Sequence, residues 1–328
     1  MRKISLKKIA ELAGVSVATV SYALNDSNQV SEVTRAKIKK IAAEEHYVPN
    51  LSARNLRTSS SNLVCAITNT YQGNFNGDVL QEIQNIFGRA GYQLLAVSGQ
   101  IPSLVRTNMI DGIIMLNYRG NQTELQNLVD SINKPVIFMT NEIKSDNAAS
   151  IVIDNDLGIK YLVETIHQSI HQKVCFITGD SNSYNSQRRL NAAKKYYTKL
   201  FKKNDFEKHV YSGNYDPTLS FELGKKFIRL NRYNSFICFN DDMALGIYHA
   251  ASQLNKIVGK DISVVGFDNS FESGVISPGL TTIDVDKKAW GQEVVNQYFK
   301  LKESGSKHTV TTLKPKLILR ESVNIKTD

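Results

Sequence analysis

The sequence predicts an α/β protein that begins with a small all-α helix-turn-helix unit and continues into a larger core of parallel β-sheets. Two observations carry this prediction. Near the start, Gly14-Val15-Ser16 separates two short helical patterns, and beyond residue 62 short apolar runs alternate with longer helical patterns. The length of 328 residues leaves room for two or three domains.

The first helical pattern covers Leu6–Ala13 and the second covers Val17–Leu24. A glycine turn sets two such helices at a steep angle, and the second helix of this motif offers its first side chains to base edges in the DNA major groove. Ser16 is a suitable N-cap for the second helix. We therefore expect small, exposed side chains at its tip, namely Val17, Ala18, Thr19 and Ser21.

A third helix is predicted to begin at its N-cap, Ser31, and to stop near His46, before Pro49. Its apolar positions are expected to close a three-helix core, and they are Val33, Ala36, Ile38, Ile41 and Ala42. Residues 1–61 contain ten lysine and arginine residues against five acidic residues. A small basic unit on a nearly neutral body is typical of nucleic-acid binding.

Beyond residue 62, strand and helix patterns alternate. The predicted strands are residues 63–67, 93–97, 112–115, 135–139, 174–177, 236–239 and 263–266. The predicted helices are residues 79–90, 158–168, 186–201, 217–229 and 243–255. This alternation indicates parallel sheets flanked by helices, in which ligands bind beyond the carboxyl ends of the strands. Asparagine, aspartate, serine and threonine follow these strands, so we expect a polar cleft, although such residues also cap helices.

Several motifs occur together in the first 57 residues: Ile9-Ala10-Glu11-Leu12-Ala13-Gly14-Val15-Ser16, Thr19-Val20-Ser21, Thr34-Arg35, Pro49-Asn50 and Leu56-Arg57. This set resembles the DNA-binding headpiece of the lac-repressor/gal-repressor family. The resemblance implies base contacts by Val17, Ala18 and Tyr22. It also implies phosphate contacts by Ser16, Thr19, Ser21, Asn25, Ser31 and Thr34.

Tyr22 departs from the family, which usually has an arginine at this position. Arginine binds guanine through two parallel hydrogen bonds, and tyrosine cannot form that pair. We therefore expect either an operator that differs from the family's usual one at the base pair facing Tyr22, or the loss of that contact.

Residues 50–56 resemble the family's hinge helix. The resemblance implies that this segment folds on DNA and enters the minor groove through Asn50, Ala53 and Leu56, with the leucine wedged between base steps. The alternative is a capped linker that contains one buried leucine.

Further motifs extend the resemblance over essentially the whole chain: Ile151-Val152-Ile153-Asp154-Asn155, Asn240-Asp241-Asp242-Met243-Ala244-Leu245-Gly246 and Leu317-Ile318-Leu319-Arg320-Glu321-Ser322. They imply a two-lobed core like that of periplasmic sugar-binding proteins, with Rossmann-like parallel sheets and three crossovers. The implied domains are a headpiece (1–48), a hinge helix and linker (49–61), an N-terminal lobe (62–154 plus 285–315) and a C-terminal lobe (155–284 plus 316–328).

Matching positions imply ligand contacts by Phe75, Asn141, Arg189, Tyr215, Asn240 and Asp268. A guanidinium group suits vicinal hydroxyls or a carboxylate, and an aspartate accepts hydroxyl hydrogens. Asn141 stands where the family has an aspartate, which weakens the case for a standard hexose. Residues 98–109 stand where the family has a full helix, so we expect at most two turns there and exposed sheet that a partner covers.

We infer a ligand-responsive transcriptional repressor that binds a near-palindromic, double-stranded DNA operator as a homodimer, with a carbohydrate effector between the lobes. In a first alternative, a protein co-regulator exerts control and the ligand pocket is vestigial. In a second, the chain is a metabolic enzyme. No catalytic motif, cofactor-binding loop or metal-ligand set is evident in the sequence, so we expect neither catalysis nor a cofactor.

The remaining expectations concern location and assembly. The sequence has no apolar stretch long enough to span a membrane and no signal-peptide core, so we expect a cytoplasmic protein. Cys65, Cys175 and Cys238 lie in apolar runs and are expected to be buried thiols. The chain ends soon after its last predicted strand, so we expect a dimer without a tetramerising heptad helix.

Overall fold

The computed structural model describes residues 4–47, 60–71, 73–304 and 308–326. The chain divides into two units, Met1–Ser59 and Ser60–Asp328, and each is considered by itself. Asn50, Ala53 and Leu56 lie outside the described residues. The hinge-helix hypothesis therefore stays a prediction.

Three helices make up the described part of the first unit: α1 (Leu6–Ala13), α2 (Val17–Leu24) and α3 (Glu32–Glu44). Each follows a serine whose hydroxyl accepts the amide hydrogen three residues further on, namely Ser5, Ser16 and Ser31. Each such cap contributes about 1 kcal/mol. Gly14 ends α1 with a φ of 69°, and His46 follows α3 with a φ of 49°. The helix-turn-helix prediction is therefore confirmed.

The three helices enclose a small apolar core that includes Ile9, Val20, Ala23 and Ile38. Lys37 adds a polar link between helices, since its Nζ donates to the carbonyl oxygen of Ala13 (2.9 Å) at the end of α1. Because core residues come from all three helices, the angle between α1 and α2 depends on α3 as well as on the turn.

Two expectations about exposure in this unit are wrong. Ser21 is only 6% exposed, because it lies on the side of the short α2 that packs against the other two helices. Val33 is 82% exposed, and Ala36 is exposed as well. These two residues are five and two positions from the buried Ile38, so a helix of about 3.6 residues per turn carries them to its far side.

Six strands of the second unit form one parallel sheet: β1 (Leu63–Thr68), β2 (Gln93–Ser98), β3 (Gly112–Leu116), β4 (Val136–Phe138), β5 (Ala148–Ile153) and β11 (Thr309–Leu313). Their spatial order is β11–β5–β4–β3–β1–β2. The chain order reverses at β1, which has β2 on one side and β3 on the other. Side chains that follow β1 and β3 therefore meet in a crevice at the carboxyl ends of the strands.

Three helices pack with this sheet: α4 (Asn74–Arg89), α5 (Gln122–Asp130) and α11 (Lys287–Ser304). Helix α11 is anchored by its fully buried Trp290, whose Nε1 donates to the carbonyl oxygen of Ile151 in β5 (2.9 Å). Tyr298, also on α11, meets Phe87 of α4 edge to face, with 5.1 Å between ring centroids. These contacts fix α4, whose first residues reach the cavity described below.

Four strands form a second parallel sheet in the order β7–β6–β8–β9: β7 (Val210–Ser212), β6 (Val174–Thr178), β8 (Ser235–Cys238) and β9 (Ser263–Val265). The helices that alternate with or follow them are α6 (Asn155–Gln168), α7 (Tyr184–Phe201), α8 (Pro217–Arg229), α9 (Asp241–Gln253) and α10 (Phe271–Val275).

A short antiparallel pair, β10 (Thr282–Asp284) and β12 (Lys316–Ile318), completes the described strands of the second unit. The chain therefore leaves the first sheet after β5, returns to it through α11 and β11, and leaves it again for β12. The α/β fold class is confirmed. The residue boundaries of the two lobes stay a prediction.

The shortened segment between β2 and β3 contains a single 3₁₀ turn, Ser103–Arg106, directly after Pro102. The expectation of at most two turns is confirmed. The expectation of bare sheet is wrong for β1 and β3, because Val105 and Ile110 of this segment pack in one buried cluster with Cys65 and Ile113. The edge strand β2, which lies next to β1, stays partly exposed.

Among the described residues, no helix is long and apolar enough to cross a lipid bilayer. The three cysteines are free and buried, as expected. Burial raises the pKa of Cys65 to about 11, so the thiol form, which is a poor nucleophile, persists at neutral pH.

Candidate functional site

The start of α2 presents an exposed surface of small side chains. Val17, Ala18 and Tyr22, which we expect to read bases, are all exposed. Ala18 and Tyr22 are four residues apart and therefore share one face of the helix. The phenol of Tyr22 is the largest group on that face, so it determines what the helix can contact at this position.

Hydroxyl pairs stand at the starts of α2 and α3. The Oγ of Ser16 lies 2.8 Å from the Oγ1 of Thr19, and the Oγ of Ser31 lies 2.9 Å from the Oγ1 of Thr34. Helix N-termini with free N–H groups and hydroxyls are suited to phosphate oxygens. Asn25 is exposed, and its Nδ2 donates to the carbonyl oxygen of Ser21 (2.7 Å).

Arg35 has a structural position in the first unit. Its Nη2 donates to the carbonyl oxygens of Ser27 (2.9 Å) and Val30 (3.2 Å), and its Nη1 donates to the carboxylate of Glu32 (2.9 Å). The guanidinium therefore holds the loop between α2 and α3. That loop sets where Ser31 stands relative to the tip of α2.

A cavity of 740 Å³ in the second unit lies where strands of both sheets end. Five of the six predicted ligand residues line it: Phe75, Arg189, Tyr215, Asn240 and Asp268. Asn141 is not among the lining residues. Its side chain is buried and accepts a hydrogen bond from the hydroxyl of Thr140 (3.0 Å), so Thr140 occupies the lining position instead.

Arg189 is almost fully engaged by protein atoms. Its Nε donates to the Oδ1 of Asn155 (2.8 Å), and its Nη1 donates to the carbonyl oxygen of Phe239. The guanidinium carbon lies 3.5 Å from the ring centroid of Phe267, and Nη2 is 3.9 Å from the Oδ1 of Asp268. The buried guanidinium thus organises the cavity floor more than it presents free donors.

Carboxylates cluster at one side of the cavity. Burial raises the pKa of Asp268 well above its ordinary value, and burial also raises the pKa of Asp242. Asp241 lies beneath them and accepts hydrogen bonds from Thr282 (2.6 Å) and the amide of Ser270 (2.8 Å). Burial outweighs these bonds and raises the pKa of Asp241 to about 6.

A chain of side-chain amides crosses the cavity, and sequence reasoning did not find it. Asn76 donates to Thr68 (3.0 Å) and accepts from Asn117 (2.8 Å). Asn117 accepts from Asn185 at 3.5 Å. The chain continues to Arg189 through Asn155, which donates to Asn185 (3.0 Å). Thr68, Asn76 and Asn117 lie in β1, in α4 and directly after β3 of the first sheet, whereas Asn185 and Arg189 lie on α7 beside the second sheet, so the chain joins the two.

An ion pair and a hydrogen bond join the two sides of the cavity at its rim. Arg119, after β3, pairs with Asp180, after β6, with 2.9 Å between Nη1 and Oδ2. The hydroxyl of Tyr184 donates to the carboxylate of Glu142 (2.5 Å). These contacts hold the rim closed in this structure.

Two aromatic side chains border the cavity. Phe75, in the first turn of α4, lies 6.2 Å from Trp290, measured between ring centroids. Tyr215 has a φ of 59° and its ring lies directly on Gly179, where a Cβ would come within 2.1 Å of the ring. Glycine at that position is therefore required for the ring to lie there.

Each of the two units contains residues that match a known protein family. Residues 5–50 match the family described as bacterial regulatory proteins, lacI family. Residues 163–323 match the periplasmic binding protein-like domain. A curated relative, the probable HTH-type transcriptional repressor ExuR of Bacillus subtilis (strain 168), is 30% identical over 294 residues, which cover 85% of this chain and 86% of the relative.

Solved structures show the same fold. The lac repressor dimer bound to operator and the anti-inducer ONPF superposes with a TM-score of 0.80 at 24% identity, covering 98% of this chain and 100% of that chain. The complex of the transcriptional regulator CelR with cellobiose superposes with a TM-score of 0.70 at 20% identity, covering 97% of this chain and 99% of that chain.

Proposed function

Because this chain belongs to the lacI family of bacterial regulatory proteins, we propose that it represses transcription by binding a near-palindromic operator as a homodimer in the cytoplasm. A carbohydrate effector bound in the cavity controls operator affinity. The observation that carries the proposal is the exposed tip of α2, where Val17, Ala18 and Tyr22 stand free of the headpiece core.

The composition of the cavity supports a carbohydrate. Amide side chains supply both donors and acceptors, and they include Asn69, Asn76, Asn117, Asn185 and Asn240. Phe75 and Tyr215 offer aromatic faces to the apolar side of a sugar ring. The volume of 740 Å³ is within the range of small-molecule sites.

Control of DNA binding is proposed to pass through the two lobes. Effector binding shifts the lobes, and the segment at residues 50–56 then loses its packing against the copy in the second protomer. Asn50, Ala53 and Leu56 are proposed to bind the minor groove only in the packed state. Coupling of this kind is typically worth about 1–3 kcal/mol.

Operator selection from a random duplex library at fixed salt tests the proposal. We expect one palindromic site for the wild-type protein. For the Tyr22→Arg variant we expect guanine at the base pair facing residue 22, with a preference of about 10- to 100-fold, because one bidentate pair is worth about 1–3 kcal/mol. The readout is the base frequency at each position, and affinity is then measured by fluorescence anisotropy.

The same selection can also contradict the proposal. If no sequence is enriched for either protein, the proposed function is disproved. Identical sites for wild type and the Tyr22→Arg variant would show that residue 22 does not face a base. The unaltered half-site positions serve as the internal control, since Val17 and Ala18 are the same in both proteins.

The dimer contact is proposed to include α10. Phe271 is 74% exposed and Val275 is also exposed, and their four-residue spacing puts them on one face. Exposed apolar clusters mark interaction surfaces, and a second copy is the occupant we propose.

Phe271→Asp is expected to raise the dimer dissociation constant by about 30-fold or more, because losing a central aromatic contact costs about 2 kcal/mol. Analytical ultracentrifugation measures it. Leu230→Asp is the control, since Leu230 is an exposed apolar residue at the end of α8 and should leave the dimer intact. Equal effects of both variants would place the contact elsewhere.

A protein co-regulator is the second candidate. A groove beside the shortened segment favours it, because the groove lies on the flank of the first sheet and is lined by Gln100, Arg106 and Asn121 among others. Indifference of the operator complex to every small molecule tested would favour this candidate over a carbohydrate effector.

A further inference from the structure

The guanidinium groups that line the cavity are both occupied. Arg189 is bound by Asn155, the carbonyl oxygen of Phe239 and the face of Phe267. Arg119 is paired with Asp180. A carboxylate or phosphate is best held by two parallel N–H groups of one guanidinium. Arg189 offers no such free pair to a ligand, since its Nε and Nη1 both bind protein atoms, and Arg119 already pairs with an aspartate through its Nη1.

The nearby lysine is occupied as well. The Nζ of Lys287 lies 3.2 Å from the carboxylate of Asp78 and donates to the carbonyl oxygen of Asn269 (3.2 Å). It does not line the cavity. The cations around the cavity are therefore neutralised by the protein itself.

Unlike these cations, two of the carboxylates that line the cavity receive no hydrogen bond from the described part of the protein. Asp268 is only 8% exposed, and among the described residues no donor lies within hydrogen-bonding distance of its side chain; Arg189, at 3.9 Å, is its nearest cation. Asp242 is half-buried and likewise has no hydrogen-bond donor in the described part of the chain. A buried carboxylate without donors is destabilising until a ligand supplies them.

Further negative charge surrounds these two groups. Asp241 is a further buried carboxylate, and the groups that donate hydrogen bonds to it are neutral. After burial, the charges of Asp241 and Asp242 also act to raise the pKa of Asp268, against the lowering effect of Arg189. The charge of Glu272 acts on Asp242 in the same direction. The third lining carboxylate, Asp216, caps α8 through the amide of Thr218 (2.7 Å).

The carboxylate of Asp242 also faces the N-terminus of α4, where an anionic ligand would otherwise bind. Helix α4 begins at the cavity without a side-chain cap on its first amides, and such a helix end attracts negative charge. The carboxylate of Asp242 already faces it, since a Cβ on Gly73 would lie 2.8 Å from the Oδ2 of Asp242. A second anion there would be repelled.

We infer that the effector is a cationic polyhydroxy compound, of the amino sugar class, whose ammonium group binds Asp242 beside Asp268. The hydroxyl groups pair with the amides of the cavity, and the ammonium supplies the donors that both carboxylates lack and the positive charge that Asp242 lacks. Phosphorylated sugars and sugar acids are rejected. This inference rests on the proposed function, and it makes Asp242 the residue that determines specificity by charge.

Isothermal titration calorimetry on the full chain tests the inference with probes matched in shape and different in charge. The probes are glucose, glucosamine, glucose 6-phosphate and glucuronate, together with galactose and its three corresponding derivatives. We expect an amine to bind at least 10-fold more tightly than its parent sugar. We expect the matching phosphate and acid to bind more weakly than the parent.

Asp242→Asn keeps the shape of the side chain and removes its charge. We expect this variant to lose the amine preference, with the affinity for the amine falling about 10-fold and that for the parent sugar changing less than twofold. Glu222→Gln is the control, because Glu222 is an exposed carboxylate on α8 that does not line the cavity. Thermal unfolding checks that both variants fold as the wild type does.

Three results would overturn the inference: tighter binding of a phosphate or acid than of the amine, an amine preference that survives in Asp242→Asn, or no binding by any probe. None of these affects operator selection. If the selection recovers an operator but calorimetry gives one of these three results, only the proposed charge class of the effector is disproved. If the selection recovers no operator, the proposed function is disproved, and the calorimetry still measures the charge preference of the cavity.

Discussion

Replacing Arg35 by alanine is expected to weaken operator binding by about 10-fold, because the headpiece loses the side chain that holds the loop between α2 and α3. The guanidinium bonds the carbonyl oxygens of Ser27 and Val30 and the carboxylate of Glu32. Losing these bonds costs about 2–3 kcal/mol. A domain of this size has only a few kcal/mol of stability, so a substantial share of the headpieces would be unfolded.

Lys40→Ala is the matched control for Arg35→Ala. It removes the same charge from the same helix, but the side chain of Lys40 is 78% exposed and only pairs loosely with Glu44 at 3.9 Å. We expect its affinity to change less than about threefold, since it removes no more than one phosphate-directed charge. Fluorescence anisotropy on the selected operator gives the affinities, and circular dichroism gives the helix content. Equal losses in the two variants would mean that Arg35 acts through charge alone.

Asp111→Ala is expected to destabilise the second unit by about 3 kcal/mol, because several donors converge on this one carboxylate. It accepts hydrogen bonds from the amide and hydroxyl of Ser61 (both 2.7 Å) and from the hydroxyl of Ser60. It also accepts one from the Nζ of Lys302 in α11 (3.1 Å). Truncation leaves the lysine and the serines without their common partner.

The effect of Asp111 has a defined pH dependence. Burial raises its pKa, but hydrogen bonds from Ser60 and Ser61 outweigh burial and lower the pKa from 3.8 to about 2. A carboxyl group whose pKa is lower in the folded state stabilises the protein at pH values above its unfolded pKa. We therefore expect the full difference between wild type and Asp111→Ala above about pH 5, and its loss as the pH falls from 3.8 towards 2.

Urea unfolding of the second unit measures this prediction at several pH values. Asp130→Ala is the control, since Asp130 is an exposed carboxylate at the end of α5 in the same lobe. Its effect should stay within about 0.5 kcal/mol. A pH-independent difference between wild type and Asp111→Ala would show that packing, and not the ionised carboxylate, supplies the stability.

Local signals explain why the headpiece could be predicted. Ser16 and Ser31 cap helices through bonds to residues three positions away, and such short-range patterns are visible in the sequence. The face that α3 buries is a different matter. Val33 is as apolar as Ile38, and only the packing of α1 and α2 decides that Ile38 goes inside.

The ligand cavity could be predicted in part. The residues that follow strands, such as Asn240 and Asp268, were found because the carboxyl ends of parallel strands meet at one edge. Asn141 does not line the cavity, whereas its neighbour Thr140 does, and the contact predicted for Asn141 stays a prediction. Asn76 and Asn117 were missed because they are 41 positions apart and meet only through the strand order around β1.

The amide chain across the cavity has a direction. Each link donates the same way, from the Nε of Arg189 through Asn155, Asn185, Asn117 and Asn76 to the hydroxyl of Thr68. A guanidinium has no acceptor, so it fixes the polarity of every amide beyond it. Reversing one amide would set two donors face to face.

From this alignment we expect the proposed lobe movement to break the amide chain in one step. Dipoles that point head to tail strengthen one another, and an intermediate opening would forfeit that gain without freeing any amide to pair elsewhere. The link from Asn185 to Asn117, at 3.5 Å, is the longest in the chain and joins the two lobes. It is therefore the link that we expect the proposed lobe movement to break, since the other links lie within one predicted lobe.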